Sequence, residues 1–230
     1  MNRLLARIPL RLKYSIGAWA RRNRAPYGLV RGRVCVQVGA PADTLHAGRS
    51  RGFYFSWLAG PEGRVLIVEP DPFSAAEFER ALERAKIGNT IVCNRAAWDR
   101  PGTVDLRVDP QHRATNFVFG LVPYNDDRLA AYVSVSVSAL PLDDILEELG
   151  FAAPDVISIT TNWAEKAILA GMHKALVSAA YVALAYGPDG EQYEELIGHH
   201  GFVPFSHDDR RVTYKQATTA HPHPNGAGDS

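Results

Sequence analysis

The sequence of 230 residues is poor in cysteine and has no long hydrophobic run. Its two cysteines, Cys35 and Cys93, lie inside apolar strand-like segments, so we expect free buried thiols in a reducing compartment and no disulfide. No apolar run approaches the roughly 18 residues that a membrane-spanning helix needs. The continuous apolar segment of a secretory signal is also missing. These absences predict a cytoplasmic protein.

Several catalytic and metal-binding motifs are missing too. There is no phosphate-binding Walker loop, no nucleophile motif around a serine or cysteine, and no run of glycines after the first predicted strand. Two pairs of histidines, 199–200 and 221–223, lack cysteine or acidic partners at metal-ligand spacing. We therefore predict no metal site, and the missing glycines argue against a nicotinamide-dependent enzyme.

Acidic residues are absent from residues 1–33, which carry nine of the 25 basic residues. The body of the chain is consequently acidic, so we predict no nucleic-acid partner. Residues 3–24 have the pattern of a basic amphipathic helix. Such a helix lies either on an anionic membrane surface or a partner, or against its own domain with solvated arginines. The apolar positions at helical spacing are Leu4, Leu5, Ile8, Leu12, Ile16 and Trp19.

From residue 33 onward, apolar runs alternate with helical patterns, which predicts an α/β fold with a doubly wound, mostly parallel sheet. Strand-like segments at 103–108 and 132–140 are additional, and residues 201–216 predict a C-terminal antiparallel hairpin. The predicted organisation is a basic helix over 1–32, one domain over 33–217 and a disordered tail over 218–230. Predicted strands are 33–39, 64–69, 89–97, 155–160 and 179–186; predicted helices are 47–59, 72–86, 140–149, 163–176 and 189–199.

Two segments place polar groups where an open parallel sheet binds ligands, at the carboxyl ends of its strands. The first strand ends at Gly39, where a ligand can approach the backbone, and the second ends at Glu69, whose carboxylate can accept both hydroxyls of a ribose. This pair suits an adenosine-containing cofactor, although Glu69 can equally serve as a helix cap. A later strand ends in the polar run 160–162, followed by Glu165, where a substrate would meet that cofactor; capping of the next helix is the alternative for the run.

Together these segments resemble the FkbM-type methyltransferases, which are class I enzymes that use S-adenosylmethionine. The resemblance runs from about residue 34 to 205 and is strongest in "GRVLIVEPDP", "LDDILEELG" and "ISITTNWAEKAILAGMHKAL". The last segment is similar to the family's Ile-Lys-Ile-Asp-Val-Glu-Gly-Ala-Glu strand, which a Leu-x-Gly helix follows. Residues that fit this pattern are Ile157, Ile159, Ala164, Glu165, Leu169, Gly171 and Leu176.

The chain also departs from the family pattern near the transfer centre. Gln37 replaces the acidic residue of the first strand, Thr160 replaces that of the later strand, and Asn162-Trp163 replaces Glu-Gly. The family's Gly-Ala-Asn-x-Gly turn is residues 39–43 here, "GAPAD". The ribose anchor and the first glycine carry over, whereas the carboxylates closest to the reaction do not.

The resemblance implies an O-methyltransferase that acts on a hydroxyl of a glycan or another polar metabolite. The alternative is a catalytically inactive methyltransferase-fold module for binding or assembly at a membrane surface. For the cofactor's carboxylate we consider Arg49 or Arg51. The expected cofactor-binding residues are Gln37, Gly39, Asp43, Glu69 and Asp71; the candidate catalytic residues are His112, Asp143 (or Asp144) and Glu165; the candidate substrate-binding residues are Asn116, Thr160, Thr161, Asn162 and Trp163.

Overall fold

The computed structural model describes residues 9–151, 153–187 and 193–217. Its main feature is a seven-stranded sheet in the order β10-β11-β9-β8-β1-β2-β3. All neighbours in this sheet are parallel except β11 with β9 and β10 with β11, which are antiparallel. The strands are β1 (Val34–Val38), β2 (Arg64–Val68), β3 (Thr90–Cys93), β8 (Val156–Ile159), β9 (Tyr181–Ala185), β10 (Phe202–Asp208) and β11 (Arg211–Gln216).

Helices cover both faces of this sheet, so the predicted doubly wound α/β fold and its C-terminal hairpin are confirmed. Side chains alternate between two buried clusters along each central strand; for example, Cys35 faces one cluster and Val36 the other. The helices are α1 (Leu10–Arg21), α2 (Ala42–His46), α3 (Arg51–Leu58), α4 (Pro72–Ala85), α5 (Asp126–Leu129), α6 (Leu142–Glu148), α7 (Glu165–Ala170), α8 (His173–Ser178) and α9 (Glu194–Gly198).

A second, four-stranded sheet in the order β4-β7-β5-β6 lies between β3 and β8 in the chain. Two of its strands correspond to the predicted extra segments, and the alternating valines of 133–137 pair with β5 across an antiparallel ladder. The sequence did not predict a separate sheet. Its strands are β4 (Ala96–Trp98), β5 (Gly102–Val108), β6 (Phe117–Val118) and β7 (Val133–Pro141).

Two predicted elements are divided in the structure and a third is shorter than predicted. The strand expected over 89–97 breaks at Asn94, whose side-chain amide donates to the carbonyls of Glu69 (2.9 Å) and Pro70 (3.0 Å) and so turns the chain into the second sheet. The helix expected over 47–59 begins only at Arg51, and the one over 163–176 is two helices, α7 and α8, separated by Gly171. These breaks arise from contacts between distant segments, which the local pattern does not record.

Within the described residues, part of the predicted basic segment forms the helix α1, which packs on α3 through Tyr14 and Ala18. Residues 1–8, the start of the predicted helix over 189–199 and the predicted disordered tail over 218–230 lie outside the described residues. Among the described residues, no helix combines the length and the apolar character needed to cross a bilayer.

Candidate active site

A cleft of about 490 Å³ lies at the carboxyl ends of β1, β2, β8 and β9. The chain runs from β1 outward to β2 and β3, and later returns to place β8 on the other side of β1, so the strand order reverses between β1 and β8. Such a reversal leaves a crevice where open α/β sheets bind their ligands. The second sheet forms the opposite wall through Ala96, Ala97, Leu106 and Phe117.

Glu69 lies at the β2 end of the cleft and is almost fully buried. Its carboxylate accepts hydrogen bonds from the backbone N–H groups of Ala40 (2.5 Å) and Asp71 (2.9 Å). Burial raises the pKa of Glu69 to about 7, and these two donors lower it only in part. A carboxylate has about four accepting positions, so two remain for a ligand in the cleft.

Gly39 and Gln37 form the floor of the cleft at the end of β1. Gly39 has a φ of 82°, and a Cβ built on it would lie 2.0 Å from the carbonyl oxygen of Thr160. The sequence predicted this glycine as room for a ligand; the structure shows that it first makes room for the chain itself. The amide of Gln37 donates to the carbonyls of Val38 and Gly39, both at 2.8 Å.

The polar run after β8 also reaches the cleft. Thr160, Thr161 and Asn162 all line it, together with Asn116 from the loop after β5. The amide of Asn162 donates to the carbonyls of Ala114 (3.0 Å) and Asn116 (2.6 Å). This contact ties the loop over 109–116 to the main sheet, so the loop forms a roof over the cleft.

Two predicted cofactor ligands hold the same roof. Asp71 caps α4 through the N–H groups of Phe73 and Ser74 and forms a buried ion pair with Arg113, in which Nη1 lies 2.8 Å from both carboxylate oxygens. Asp43 accepts the N–H of Ala114 at 3.1 Å. Neither carboxylate lines the cleft, so the geometry gives both a positioning role.

The predicted catalytic residues lie outside the cleft lining. His112 is exposed on the roof loop. Asp143 caps α8 by accepting the N–H groups of Lys174 (2.8 Å) and Ala175 (2.9 Å). Glu165 is buried behind the polar run and accepts the N–H of Thr161 at 3.1 Å, and burial raises its pKa. None of the three side chains is therefore part of the cleft lining.

Trp163, predicted to stack on a substrate, does not line the cleft either. Its backbone φ is 73°, in the left-handed region that glycine adopts without strain. This conformation accounts for the glycine that the resembled pattern has at the same position. The tryptophan keeps the backbone shape that the pattern needs but does not reach the lining.

At the end away from Glu69, the cleft is lined by Tyr27, Arg51 and Arg211. Arg51 Nη1 donates to Ser158 Oγ at 2.5 Å, and Arg211 Nη1 lies 3.4 Å from the Tyr27 hydroxyl. Burial and the charge of Arg211 together lower the pKa of Arg51 to about 10. Sequence reasoning missed Tyr27 and Arg211 because they meet only in the fold; Ser158, a polar residue inside an apolar strand, was the one local signal.

Buried polar atoms without a partner in the described part of the chain concentrate in the cleft lining. They carry both donors and acceptors, and leaving one unpaired costs about 1–3 kcal/mol. A polar ligand that reaches them offsets this cost, which is the fit expected of a nucleoside-containing amino acid such as S-adenosylmethionine. The atoms are Gln37 Oε1, Ser50 Oγ, Arg51 Nε, Asn116 Nδ2 and Thr161 Oγ1.

Comparison with solved structures returns methyltransferases of low sequence identity. A 16S rRNA methyltransferase from T. thermophilus in complex with AdoMet and guanosine is 14% identical, with a TM-score of 0.46 over 91% of this chain and 43% of that chain. A SAM-dependent methyltransferase from Aquifex aeolicus is 12% identical, with a TM-score of 0.47 over 90% of this chain and 93% of that chain. These likenesses leave the prediction of no nucleic-acid partner untested.

No curated protein matches the sequence. The family model described as "Methyltransferase FkbM domain" matches residues 37–216, which contain every strand of the main sheet except the first three residues of β1. The resemblance that the motifs indicated is thereby confirmed over most of the chain. The chain belongs to the FkbM methyltransferase family, a family of S-adenosylmethionine-dependent enzymes.

Proposed function

We propose that this chain is an S-adenosylmethionine-dependent O-methyltransferase that acts on a hydroxyl of a glycan or another polar metabolite. The observation that carries the proposal is the cleft at the strand-order reversal, where Glu69 lies beside the turn after β1 and unpartnered polar atoms line the walls. Membership of the family implies that S-adenosylmethionine is the methyl donor, and the cleft is where we expect it to bind.

The residues present suit the donor's nucleoside. The two free accepting positions of Glu69 match the two hydroxyls of a ribose, and the apolar side chains of Ala96 and Ala97 on the opposite wall offer a surface for a base. Gln37 and Gly39 line the continuation of the cleft along β1. Arg49 and Arg51 both line it further on, and because Arg51 already donates to Ser158, Arg49 is the arginine that we assign to the donor's carboxylate.

When bound, S-adenosylmethionine supplies a methyl group on a sulfonium, which an acceptor oxygen displaces in line. The chain's own contribution is to hold the acceptor oxygen close to that methyl group and to exclude water. Asn116, Thr160, Thr161 and Asn162 offer hydrogen bonds to a polyhydroxylated acceptor. The roof loop, held by the Arg113–Asp71 ion pair, closes the cleft above them.

Calorimetric titration with S-adenosylhomocysteine tests the donor site. We expect saturable binding by the full chain and a loss of about tenfold or more in affinity for Glu69→Ala, because two charge-assisted hydrogen bonds are removed. Glu62→Ala is the matched control, since Glu62 is exposed at the opposite end of β2. Transfer of labelled methyl groups to a panel of methyl glycosides then tests the acceptor class.

The inactive-module alternative gives a different result. If the full chain does not bind S-adenosylhomocysteine, the donor site is wrong and the fold serves binding or assembly alone. If NADH binds instead and Glu69→Ala abolishes that binding, the enzyme is of the nicotinamide class. Binding of S-adenosylhomocysteine without transfer to any acceptor supports the inactive module with a retained donor site.

We also propose that α1 attaches the protein to an anionic membrane surface. Its inner face is buried on α3, yet its outer face exposes Leu12 (49%), Ile16 (60%) and Trp19 (69%), which follow one another at helical spacing. Residues 1–33 contain no acidic residue, so every charged side chain of this segment is cationic. An apolar stripe with cationic flanks is the chemistry of a helix that lies in the headgroup region of anionic lipid.

Co-sedimentation of the full chain with phosphatidylcholine vesicles, with and without phosphatidylglycerol, tests this attachment. We expect binding only to the anionic vesicles, screened by high salt, and a loss of about tenfold or more for Ile16→Glu. Val177→Glu is the matched control, because Val177 is 77% exposed on α8. Equal binding by Ile16→Glu, or a dimer in solution that Ile16→Glu dissociates, contradicts the proposal.

A further inference from the structure

The cleft needs a group that accepts the proton of the attacking hydroxyl, and the predicted bases do not lie in its lining. Among the described residues that line it, the groups able to accept a proton are Glu69, Tyr27 and Tyr186. Glu69 is already used by two backbone donors and the proposed ribose, and Tyr186 donates its hydroxyl to the carbonyl of Asp208 at 3.0 Å. Tyr27 is the one left by this elimination.

We propose that the Tyr27 phenolate accepts the proton of the acceptor hydroxyl during methyl transfer, and that Arg51 and Arg211 hold the phenolate ready. This inference rests on the proposed methyltransferase function. As the acceptor oxygen bonds to the methyl carbon, its proton passes to the Tyr27 oxygen, while the carbon–sulfur bond breaks and its electron pair stays on sulfur. The phenol then returns the proton to solvent, which restores the starting charges.

The surroundings of Tyr27 favour the phenolate. Arg211 Nη1 lies 3.4 Å from the phenolic oxygen, which accepts the hydrogen bond, and the Arg51 guanidinium also reaches the phenol. Burial opposes ionisation, but the two arginines outweigh it, so the pKa of Tyr27 lies below the usual value for a tyrosine. Arg51 has a hydroxyl partner in Ser158 and forms no ion pair with a carboxylate among the described residues, although the charge of Asp208 acts on it.

Other charged and titratable groups around the ring are consistent with this assignment. From α1, the Arg21 guanidinium lies 6.0 Å from the Tyr27 ring centroid and adds positive charge. From α3, Tyr54 packs edge-on at 5.7 Å, and burial raises its pKa, so it stays neutral. From the hairpin, Asp208 pairs with Arg211 at 2.5 Å and also acts on Arg51, which offsets part of the charge of both arginines.

The position of Tyr27 in the cleft suits the reaction. Arg51 contacts β8 through Ser158, and Arg211 lies opposite Ala185 of β9 in the sheet register. In the sheet, β8 is two strands and β9 three strands away from β2, which carries Glu69 at its end. At the usual spacing between strands, the arginines therefore lie about 10–14 Å from Glu69. A nucleoside held at Glu69 therefore leaves room for its methyl group and an acceptor hydroxyl before the phenol.

Near-ultraviolet titration of the full chain measures tyrosinate formation without substrate. We expect one tyrosine to ionise at lower pH than the rest, and this step to vanish in Tyr27→Phe and to move upward in Arg51→Met. Tyr214→Phe is the matched control: Tyr214 is a buried phenol outside the cleft lining whose pKa burial raises to about 12, so the early step is kept. Thermal melts of each variant establish that it is folded.

The transfer assay tests the catalytic step. Tyr27→Phe is expected to lower turnover by about 10²–10⁴-fold with unchanged affinity for S-adenosylhomocysteine, and Arg51→Met to move the acid limb of the rate profile upward. Turnover of Tyr27→Phe at the level of the unaltered chain, or no early tyrosine step, overturns this inference alone. Failure of the unaltered chain to bind S-adenosylhomocysteine instead overturns the proposed function, whatever the tyrosine titration shows.

Discussion

Glu69 combines a structural position with a proposed ligand contact. Its carboxylate fixes the turn after β1 through Ala40 and its own turn through Asp71, and it does so while buried. Because burial outweighs those donors, the group holds its proton to about pH 7. The free protein therefore carries an unfavourable buried carboxylate at neutral pH. Hydroxyl donors of a bound ribose would stabilise the charged form of Glu69 and so favour binding.

We expect the titration of Glu69 to make the stability of the free protein depend on pH. Between the unfolded pKa of 4.5 and the folded value of about 7, the folded state holds more protons than the unfolded state. The free energy of unfolding therefore falls as the pH rises through this window, by about 3 kcal/mol at most. Chemical denaturation at a series of pH values measures it.

Glu69→Gln is expected to remove the share of that decline that comes from Glu69, because the amide does not titrate, whereas Glu165, whose pKa burial also raises, keeps its own share. Glu62→Gln, at an exposed position, should keep the decline of the unaltered chain. Parallel pH profiles for the unaltered chain and Glu69→Gln would show that the Glu69 carboxyl is already charged in the folded state at low pH.

At the scale of elements, the site is built from turns that bring distant segments close together. The turn after β1 passes so near to β8 that Gly39 has no space for a side chain, and Gly171 does the same where the α7–α8 junction meets β4: a Cβ there would lie 1.9 Å from the carbonyl oxygen of Trp98. The glycine that the Leu-x-Gly pattern requires is thus explained by the packing of the second sheet on the first.

Gly39→Ala is expected to destabilise the fold by about 2 kcal/mol or more, since it combines a positive φ with a contact of 2.0 Å to the Thr160 carbonyl. The midpoint of chemical denaturation measures the change. Gly88→Ala is the matched control, because nothing lies within 4 Å of a Cβ there. A stable Gly39→Ala with unchanged donor affinity would mean that the turn after β1 relaxes freely.

Local patterns predicted the elements whose cause is local. Apolar runs such as 34–38 and 64–68 predicted their strands, because burial of a central strand is written in consecutive residues. The break before α3 could not be predicted, since the Tyr14 hydroxyl, 36 residues away, accepts the N–H of Ser50 at 3.1 Å. The split of the segment 89–97 has a similar cause in Asn94.

The sequence likewise predicted the part of the candidate site that follows from adjacent strands, but not the part that distant segments form. Glu69 and Gly39 end adjacent predicted strands, so their proximity follows from the sheet. Tyr27 and Arg211 are separated by 184 residues, and only the hairpin beside β9 brings them together. The predicted bases failed to reach the cleft because each follows a local rule of its own: Asp143 caps a helix, and His112 lies on an exposed loop.

On the scale of the whole molecule, the basic helix α1 and the cleft lie in different parts of the structure. The basic α1 lies on one face of the sheet with an exposed apolar stripe, while the cleft opens at the carboxyl edge under the second sheet. Attachment through α1 would leave the roof loop and the cleft outside the contact made by that stripe. Family membership accounts for the donor, and the packing of the C-terminal hairpin against Tyr27 forms the arginine–phenol end of the cleft.

The central claim is that the cleft beyond Gly39 holds the methyl donor with its ribose on Glu69. A crystal structure of the full chain with S-adenosylhomocysteine tests it most directly. We predict both ribose hydroxyls within hydrogen-bonding distance of the Glu69 carboxylate and the sulfur directed toward the Tyr27 end of the cleft. A nucleoside bound elsewhere, or a cleft filled by the protein's own side chains at saturating ligand, would contradict the account.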